Sequence, residues 1–150
     1  KKLDKSKYFL LIFGNFWSYE ILNDIGIEYK ILGFIDDKKK MNAVYASSDF
    51  FVFASIQEAF GKTWTEAMAC KIPVVCFNNT SAAEIVDHKI DGYIVDKVNS
   101  DELKKGIDWI STFIESKNCN NAARDKINIF DSKNIAKKYI ELYKKLLEKN

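Results

Sequence analysis

Phe50-Phe51-Val52-Phe53-Ala54-Ser55-Ile56-Gln57-Glu58-Ala59-Phe60-Gly61-Lys62-Thr63-Trp64-Thr65-Glu66-Ala67-Met68-Ala69-Cys70 is the stretch on which the reading of this chain turns. It opens with a continuous apolar run, Phe50–Ala54, of the kind expected for a strand covered on both faces. It closes with Thr63–Cys70, which reads as a helix. Ligands of open α/β sheets bind in the crevice outside the carboxyl ends of strands, and this strand-to-helix junction is such a place. Gly61 lets the backbone approach a ligand, and the N–H groups of a first helical turn attract phosphate. Glu58 falls in the loop at the crevice and Glu66 about one turn inside the helix. This geometry lets one carboxylate face a ligand in the crevice while the other reaches a second part of the same ligand. A plainer reading stands beside it. Thr63 and Glu66 also match the T-x-x-E capping box, so Glu66 could close its own helix terminus, with Glu58 an ordinary exposed loop acid. Spacing alone leaves both open.

Outward from this stretch, short apolar runs alternate with helix-period segments. Strands are expected at Tyr8–Phe13, Tyr29–Phe34, Phe50–Ala54, Val74–Phe77 and Tyr93–Val95, with Pro73 opening one of them where its missing N–H is tolerated. Helices are expected at Trp17–Ile25, Lys38–Ser47, Thr63–Cys70 and Ser81–Val86, the last with Ser81 and Glu84 at capping-box spacing. Beyond the last strand the pattern is helical. Leu103, Ile107, Ile110 and Ile114 form one apolar stripe, and Ile135, Tyr139, Leu142, Tyr143, Leu146 and Leu147 form another. Asn118–Asn121 joins two helices, and the sequence has no repeat or Pro/Gly-rich linker. The fold class is α/β: one domain over residues 1–150, a Rossmann-like parallel sheet of about five strands flanked by helices.

The chain has 150 residues and a net charge of +2, with 47% hydrophobic and 29% charged residues, the balance of a soluble globular domain. Its basic residues are lysines apart from Arg124, and they are spread along the chain. That excludes a dedicated nucleic-acid binder, which would gather arginine and lysine on one face. Lys137, Lys138, Lys144, Lys145 and Lys149 read as the solvated face of a helix in preference to a lipid-binding patch. Cys70, Cys76, Cys119 and the single His88 lack metal-site spacing, and free thiols point to a reducing cytoplasm. No apolar run reaches the ~20 residues of a membrane span. The first residues carry no signal-peptide pattern, so the sequons at Asn78-Asn79-Thr80-Ser81 have no meaning of their own.

The segment Ser55–Val75, with its Glu-x-Phe-Gly-x-x-x-x-Glu-Ala-Met-Ala core, closely resembles the signature of family 4 glycosyltransferases, retaining enzymes of the two-domain GT-B fold. The likeness continues through Phe77, Glu84-Ile85-Val86, Asp91-Gly92-Tyr93, Leu103, Gly106-Ile107 and Trp109. Upstream it includes Leu32-Gly33-Phe34, Tyr45 and Ser48-Asp49. It covers most of residues 8–110, and Ala136–Leu147 fits the family's closing helix. The run Phe60–Thr63 with His88 looks most like transferases of capsule, colanic-acid or O-antigen assembly.

The resemblance implies roles. Glu58 would sit beside the donor sugar as the catalytic-site acid, though not as a nucleophile, because the favoured account of retention is front-face attack assisted by the leaving phosphate. Glu66 would hold the ribose hydroxyls. Backbone at Phe60, Gly61, Lys62 and Thr63 would hold the sugar and diphosphate, and backbone at Phe34 and Ile35 would face the base. The family needs no divalent metal and no cofactor beyond its nucleotide-sugar substrate, so charge on the departing diphosphate must be met by helix N-termini and basic groups. Two departures stand out. Lys71 replaces the usual glycine at a left-handed helix end. The chain also begins near the second strand of the family's donor domain. It would therefore be a fragment without the first strand, the Arg/Lys pair that grips the diphosphate, and the N-terminal acceptor domain. A lipid-linked acceptor would bring the whole protein to the inner face of the membrane.

For the other candidates packing is the favoured reading. His88 reads as a turn residue, Trp109 as helix packing, and Asp36-Asp37 as acids at a positive helix start. Trp17 and Trp64 could stack on carbohydrate, Trp64 being nearest the motif. The alternative to an enzyme half is a non-catalytic module that binds nucleotide sugar or docks a partner domain.

Overall fold

The computed structural model describes residues 3–15, 20–22, 25–115 and 122–148. In chain order the elements are β1 (Phe9–Phe13), a 3-10 turn (Glu20–Leu22), β2 (Glu28–Gly33), α1 (Lys38–Ala46), β3 (Phe51–Phe53), α2 (Lys62–Ala69), β4 (Val74–Phe77), a 3-10 turn (Ser81–Glu84), β5 (Gly92–Val95), α3 (Ser100–Glu115), α4 (Ala122–Ile127), a 3-10 turn (Asn128–Phe130) and α5 (Ser132–Leu147). The expected strands are present with ends shifted by a residue at most. Within the helix expected over Trp17–Ile25 the described residues form a 3-10 turn at Glu20–Leu22, while residues 17–19 and 23–24 lie outside the described residues, as do residues 118–121.

Every described pairing is parallel, giving the expected Rossmann-like α/β fold. The strands, however, fall into two sheets, β1–β2 and β3–β4–β5, in place of one. The reason lies between them. A cavity of about 540 Å³ is lined by consecutive residues of both facing edges, Leu10 and Leu11 with Phe50, Phe51 and Val52. Residues of α1 (Val44, Tyr45) cover it, as do residues of α3 (Ile107, Ser111). Consecutive residues of a strand line a cavity together only when its edge is presented, since their side chains point to opposite faces. The Gly14 N–H bonds to the Gly33 carbonyl and the Phe51 N–H to the Pro73 carbonyl. By alternation the backbone groups of Leu11 and Phe13 point away from β2, and those of Val52 away from β4.

The core is organised by β4, in which every residue is buried. Its alternation divides the packing. Val74 and Cys76 join Trp64, Ala67, Met68 and Tyr45, while Val75 and Phe77 join Val95 and Ile110 of α3. Gly106 allows α3 to lie close on this sheet, since a Cβ there would stand 2.9 Å from Val75 Cγ1 and Tyr93 Cδ1. Burial holds the Cys76 thiol up at about 12, the Thr80 hydrogen bond opposing this.

Two ionic and capping features follow from local chemistry. Asp37, expected as an acid at a positive helix start, goes further and caps α1, accepting from the Lys39 and Lys40 N–H groups. Asp91 is 4% exposed, and its carboxylate is compensated by Lys126 Nζ at 2.6 Å and by the Asp87 N–H at 2.8 Å. Lys126 also pairs with Asp87, so one lysine ties α4 to the loop before β5. The expected capping box at Ser81 and Glu84 does not form. The Thr80 side chain makes no cap bond to the short 3-10 turn, and the Ser81 hydroxyl donates elsewhere, to the Phe60 carbonyl. His88, expected in a turn, instead forms an isolated parallel bridge with Gly92 just before the turn into β5, and its Nδ1 accepts from the Ile94 N–H at 3.0 Å.

Candidate functional site

The junction after β3 is built from the glycine outward. Gly61 is the N-cap of α2, with φ 70° and ψ 95°, and no side chain caps the helix. A Cβ at Gly61 would stand 2.9 Å from both the Phe53 ring and the Trp64 indole. The position therefore excludes any side chain twice, by space and by its left-handed φ. Trp64 is fully buried beneath the loop and donates its indole N–H to the Phe60 carbonyl. That same carbonyl accepts from Ser81 Oγ at 2.7 Å, and Asn79 Nδ2 donates to the Ile56 carbonyl at 2.7 Å. The loop from Ile56 to Gly61 is thus fastened at both ends by groups from the segment after β4. Trp64 is a buttress and offers no face for a sugar to stack on.

The orphan N–H groups at the start of α2 (Lys62, Thr63 and Trp64) are left to whatever occupies the crevice. Because the helix starts at Lys62 with Gly61 as its cap, Thr63 is inside the first turn and Glu66 lies beyond its reach. The capping-box explanation of Glu66 needs Thr63 at the cap position, so it does not apply. Glu66 is exposed, and one of its oxygens, Oε2, accepts from the phenol of Tyr45 at 3.1 Å. Burial first, then the charge and hydrogen bond of Glu66, raise that phenol well above its ordinary range. Burial also raises the Cys70 thiol, with Glu66 adding to the effect and Arg124 opposing it.

The structure thus gathers Phe60, Gly61, Lys62, Thr63 and Glu66 at one helix start, with Glu58 exposed in the preceding loop. Phe34 and Ile35 stand after the carboxyl end of β2, in the other sheet. Phe34 is 71% exposed, an arrangement suited to a flat partner. Tyr45, Ser81 and Asn79 also shape the site, and no local spacing in the sequence marks them as doing so. Their contacts span 21 or 23 positions, beyond the reach of local pattern. Among the described residues no cluster of His, Cys, Asp and Glu could hold a metal ion, and no helix is long and apolar enough to cross a membrane.

A parallel α/β domain whose helix starts follow strand ends is of the Rossmann-like class. The model of the family described as Glycosyl transferases group 1 matches residues 1–126, and the chain belongs to that family. It is 32% identical, over 99% of its length, to an uncharacterized glycosyltransferase of Methanocaldococcus jannaschii, of which it spans 40%. Among solved structures it is similar to a glycosyltransferase from Rickettsia africae, with TM-score 0.77 and 25% identity over 95% of this chain and 41% of that one. It also shares its fold with Anabaena HepE, solved in complex with UDP, with TM-score 0.66 and 22% identity over 92% of this chain and 40% of that one. The fold is that of the C-terminal half of a GT-B glycosyltransferase.

Proposed function

We propose that this chain supplies the donor-binding half of a retaining glycosyltransferase, which moves a sugar from a nucleoside diphosphate to a glycan or lipid-linked acceptor in surface-polysaccharide assembly. The observation that carries the reading is Glu66. It is an exposed carboxylate one turn inside a helix whose uncapped start opens at a strand end, and it is released from any capping duty. In this reading Glu66 accepts from the ribose diol, the backbone of Phe60–Thr63 holds the sugar and diphosphate, the backbone at Phe34 and Ile35 faces the base, and Glu58 stands beside the sugar. The UDP bound by the HepE structure supports a nucleotide partner. The Phe60–Thr63 run with His88 supports the surface-polysaccharide assignment.

The reaction in this proposal is the one that the family resemblance implies. The bond from the anomeric carbon to the diphosphate breaks while the acceptor oxygen attacks from the same face. A phosphate oxygen of the leaving group takes the acceptor's proton, so configuration is retained and a nucleoside diphosphate departs. Its growing negative charge is met by the N–H groups at the start of α2 without a divalent metal. The rest of the protein, in this proposal, contributes the acceptor domain and a further strand, which fills the cavity between β1 and β3 and joins the two sheets into one. The acceptor draws the whole protein to the inner membrane face.

Calorimetric titration with UDP, GDP and ADP tests the donor half. One nucleotide binds with a Kd from millimolar to high micromolar, about −4 to −6 kcal/mol, and EDTA leaves it unchanged. Glu66→Gln keeps an oxygen for Tyr45 to bond, so the melting temperature holds while nucleotide affinity falls. An unaltered affinity in that variant removes Glu66 from the site.

A further inference from the structure

Tyr45 is the residue whose placement the motif does not explain. Its side chain is 1% exposed, held edge-on by the Phe13 ring at 5.8 Å and the Phe51 ring at 5.9 Å. These contacts come from β1 and β3, so both sheets fix its orientation. Its single polar atom leaves this apolar cage to donate to Glu66 Oε2 at 3.1 Å. Phe would fill the same volume and keep the ring contacts, so packing alone does not call for the hydroxyl.

Resting on the donor-site reading above, we propose that Tyr45 is a positioning residue. Its hydroxyl locks the Glu66 carboxylate in the rotamer that meets the ribose 2′,3′-diol, leaving Oε1 and the second lone pair of Oε2 for the two sugar hydroxyls. A carboxylate has roughly four acceptor sites, enough for the phenol and the diol together. An exposed glutamate at a helix surface otherwise samples several rotamers, and the entropy of fixing one is charged against binding. A rigid buried donor removes that cost before the ligand arrives, the arrangement by which a supporting shell sharpens a site. The phenol stays protonated throughout the working pH range because burial and the Glu66 charge both oppose its ionisation, so the donor is always present.

The test uses the full chain and the nucleotide it binds among UDP, GDP and ADP, each compared with its 2′,3′-dideoxy form by calorimetry. Tyr45→Phe weakens binding of the ribonucleotide about three- to tenfold and leaves the dideoxy form unaffected. In a Glu66→Ala background, which leaves no acceptor for Tyr45 to orient, the same substitution has no further effect on the ribonucleotide. Equal losses for both nucleotide forms mean that Tyr45 acts only through the fold, and no loss for either means that it does not position Glu66. Both results overturn the proposal. Failure of the unmodified chain to bind any of the three nucleotides overturns it too, and that failure, seen before any substitution, marks the donor-site reading itself as wrong.

Discussion

Lys71 sits with φ 66° where the sequence pattern calls for glycine. The bonds around it are those of a Schellman ending: Lys71 N–H to the Met68 carbonyl and Ile72 N–H to the Ala67 carbonyl. The helix end is therefore kept, and the lysine backbone bears the strain. A left-handed backbone costs a non-glycine residue about 1–2 kcal/mol, of which glycine would return about 0.5–1 kcal/mol through its freer unfolded chain. Lys71→Gly is expected to stabilise the fold by about 0.5–1 kcal/mol, read as a higher urea midpoint at constant slope. A lower midpoint would show that the lysine side chain makes a contact worth more than the strain. Lys71 follows α2 on the end away from Gly61, so nucleotide affinity should not move.

Helices α3 and α5 carry similar apolar stripes in sequence but meet different surroundings. On α3, Ile110 is fully buried against Val75 and Val95. On α5 no residue is buried, and Tyr139, Leu142 and Tyr143 are about half exposed. Amphipathic period reports that a helix has a face to cover and says nothing about what covers it. The two should therefore respond differently to truncation. Ile110→Ala is expected to cost about 2–5 kcal/mol by leaving a cavity, whereas Leu142→Ala stays within about 0.5 kcal/mol in this chain. Denaturant melts of the two variants beside the parent check this. A large loss at Leu142 would place α5 against the core in solution.

For the whole molecule, the division into two sheets is the feature with the widest consequence. Parallel strands covered by helices on both faces normally form one continuous sheet, and here the covering helices α1 and α3 continue across a cavity where the hydrogen bonding does not. If a further strand completes the sheet, the amides of Leu11, Phe13 and Val52 exchange rapidly in this chain and become protected in the longer protein, as hydrogen exchange by mass spectrometry would report. Rapid exchange persisting in the longer protein would mean that the cavity stays unfilled. The same reading bears on catalysis. Holding an acceptor in line with the anomeric carbon supplies ~7–11 kcal/mol of barrier reduction. This chain, as a donor half, should bind nucleotide yet show no transfer from a panel of nucleotide sugars to lipid-linked or simple glycan acceptors. Turnover at ~1 s⁻¹ or faster would sink that view.

Much of this was legible in the chain itself, because it rests on local physics. Five apolar runs became five strands, the glycine between Phe60 and Lys62 became a helix cap that admits no side chain, and Asp37 stands at the helix start its position implied. The sequence also posed the central ambiguity, whether Glu66 caps its helix or faces a ligand, without resolving it. The start of α2 depends on a two-residue shift of its cap, Gly61 or Thr63, that periodicity does not discriminate, and only the folded backbone made the choice. Tertiary structure alone also brought Tyr45 to Glu66 and Ser81 to Phe60, turned the Ser81–Glu84 spacing away from a capping box, and parted β1 from β3. Each of these is a contact, or a missing contact, between segments distant in sequence. Such contacts are set by how whole layers pack, and no window of neighbouring residues contains them.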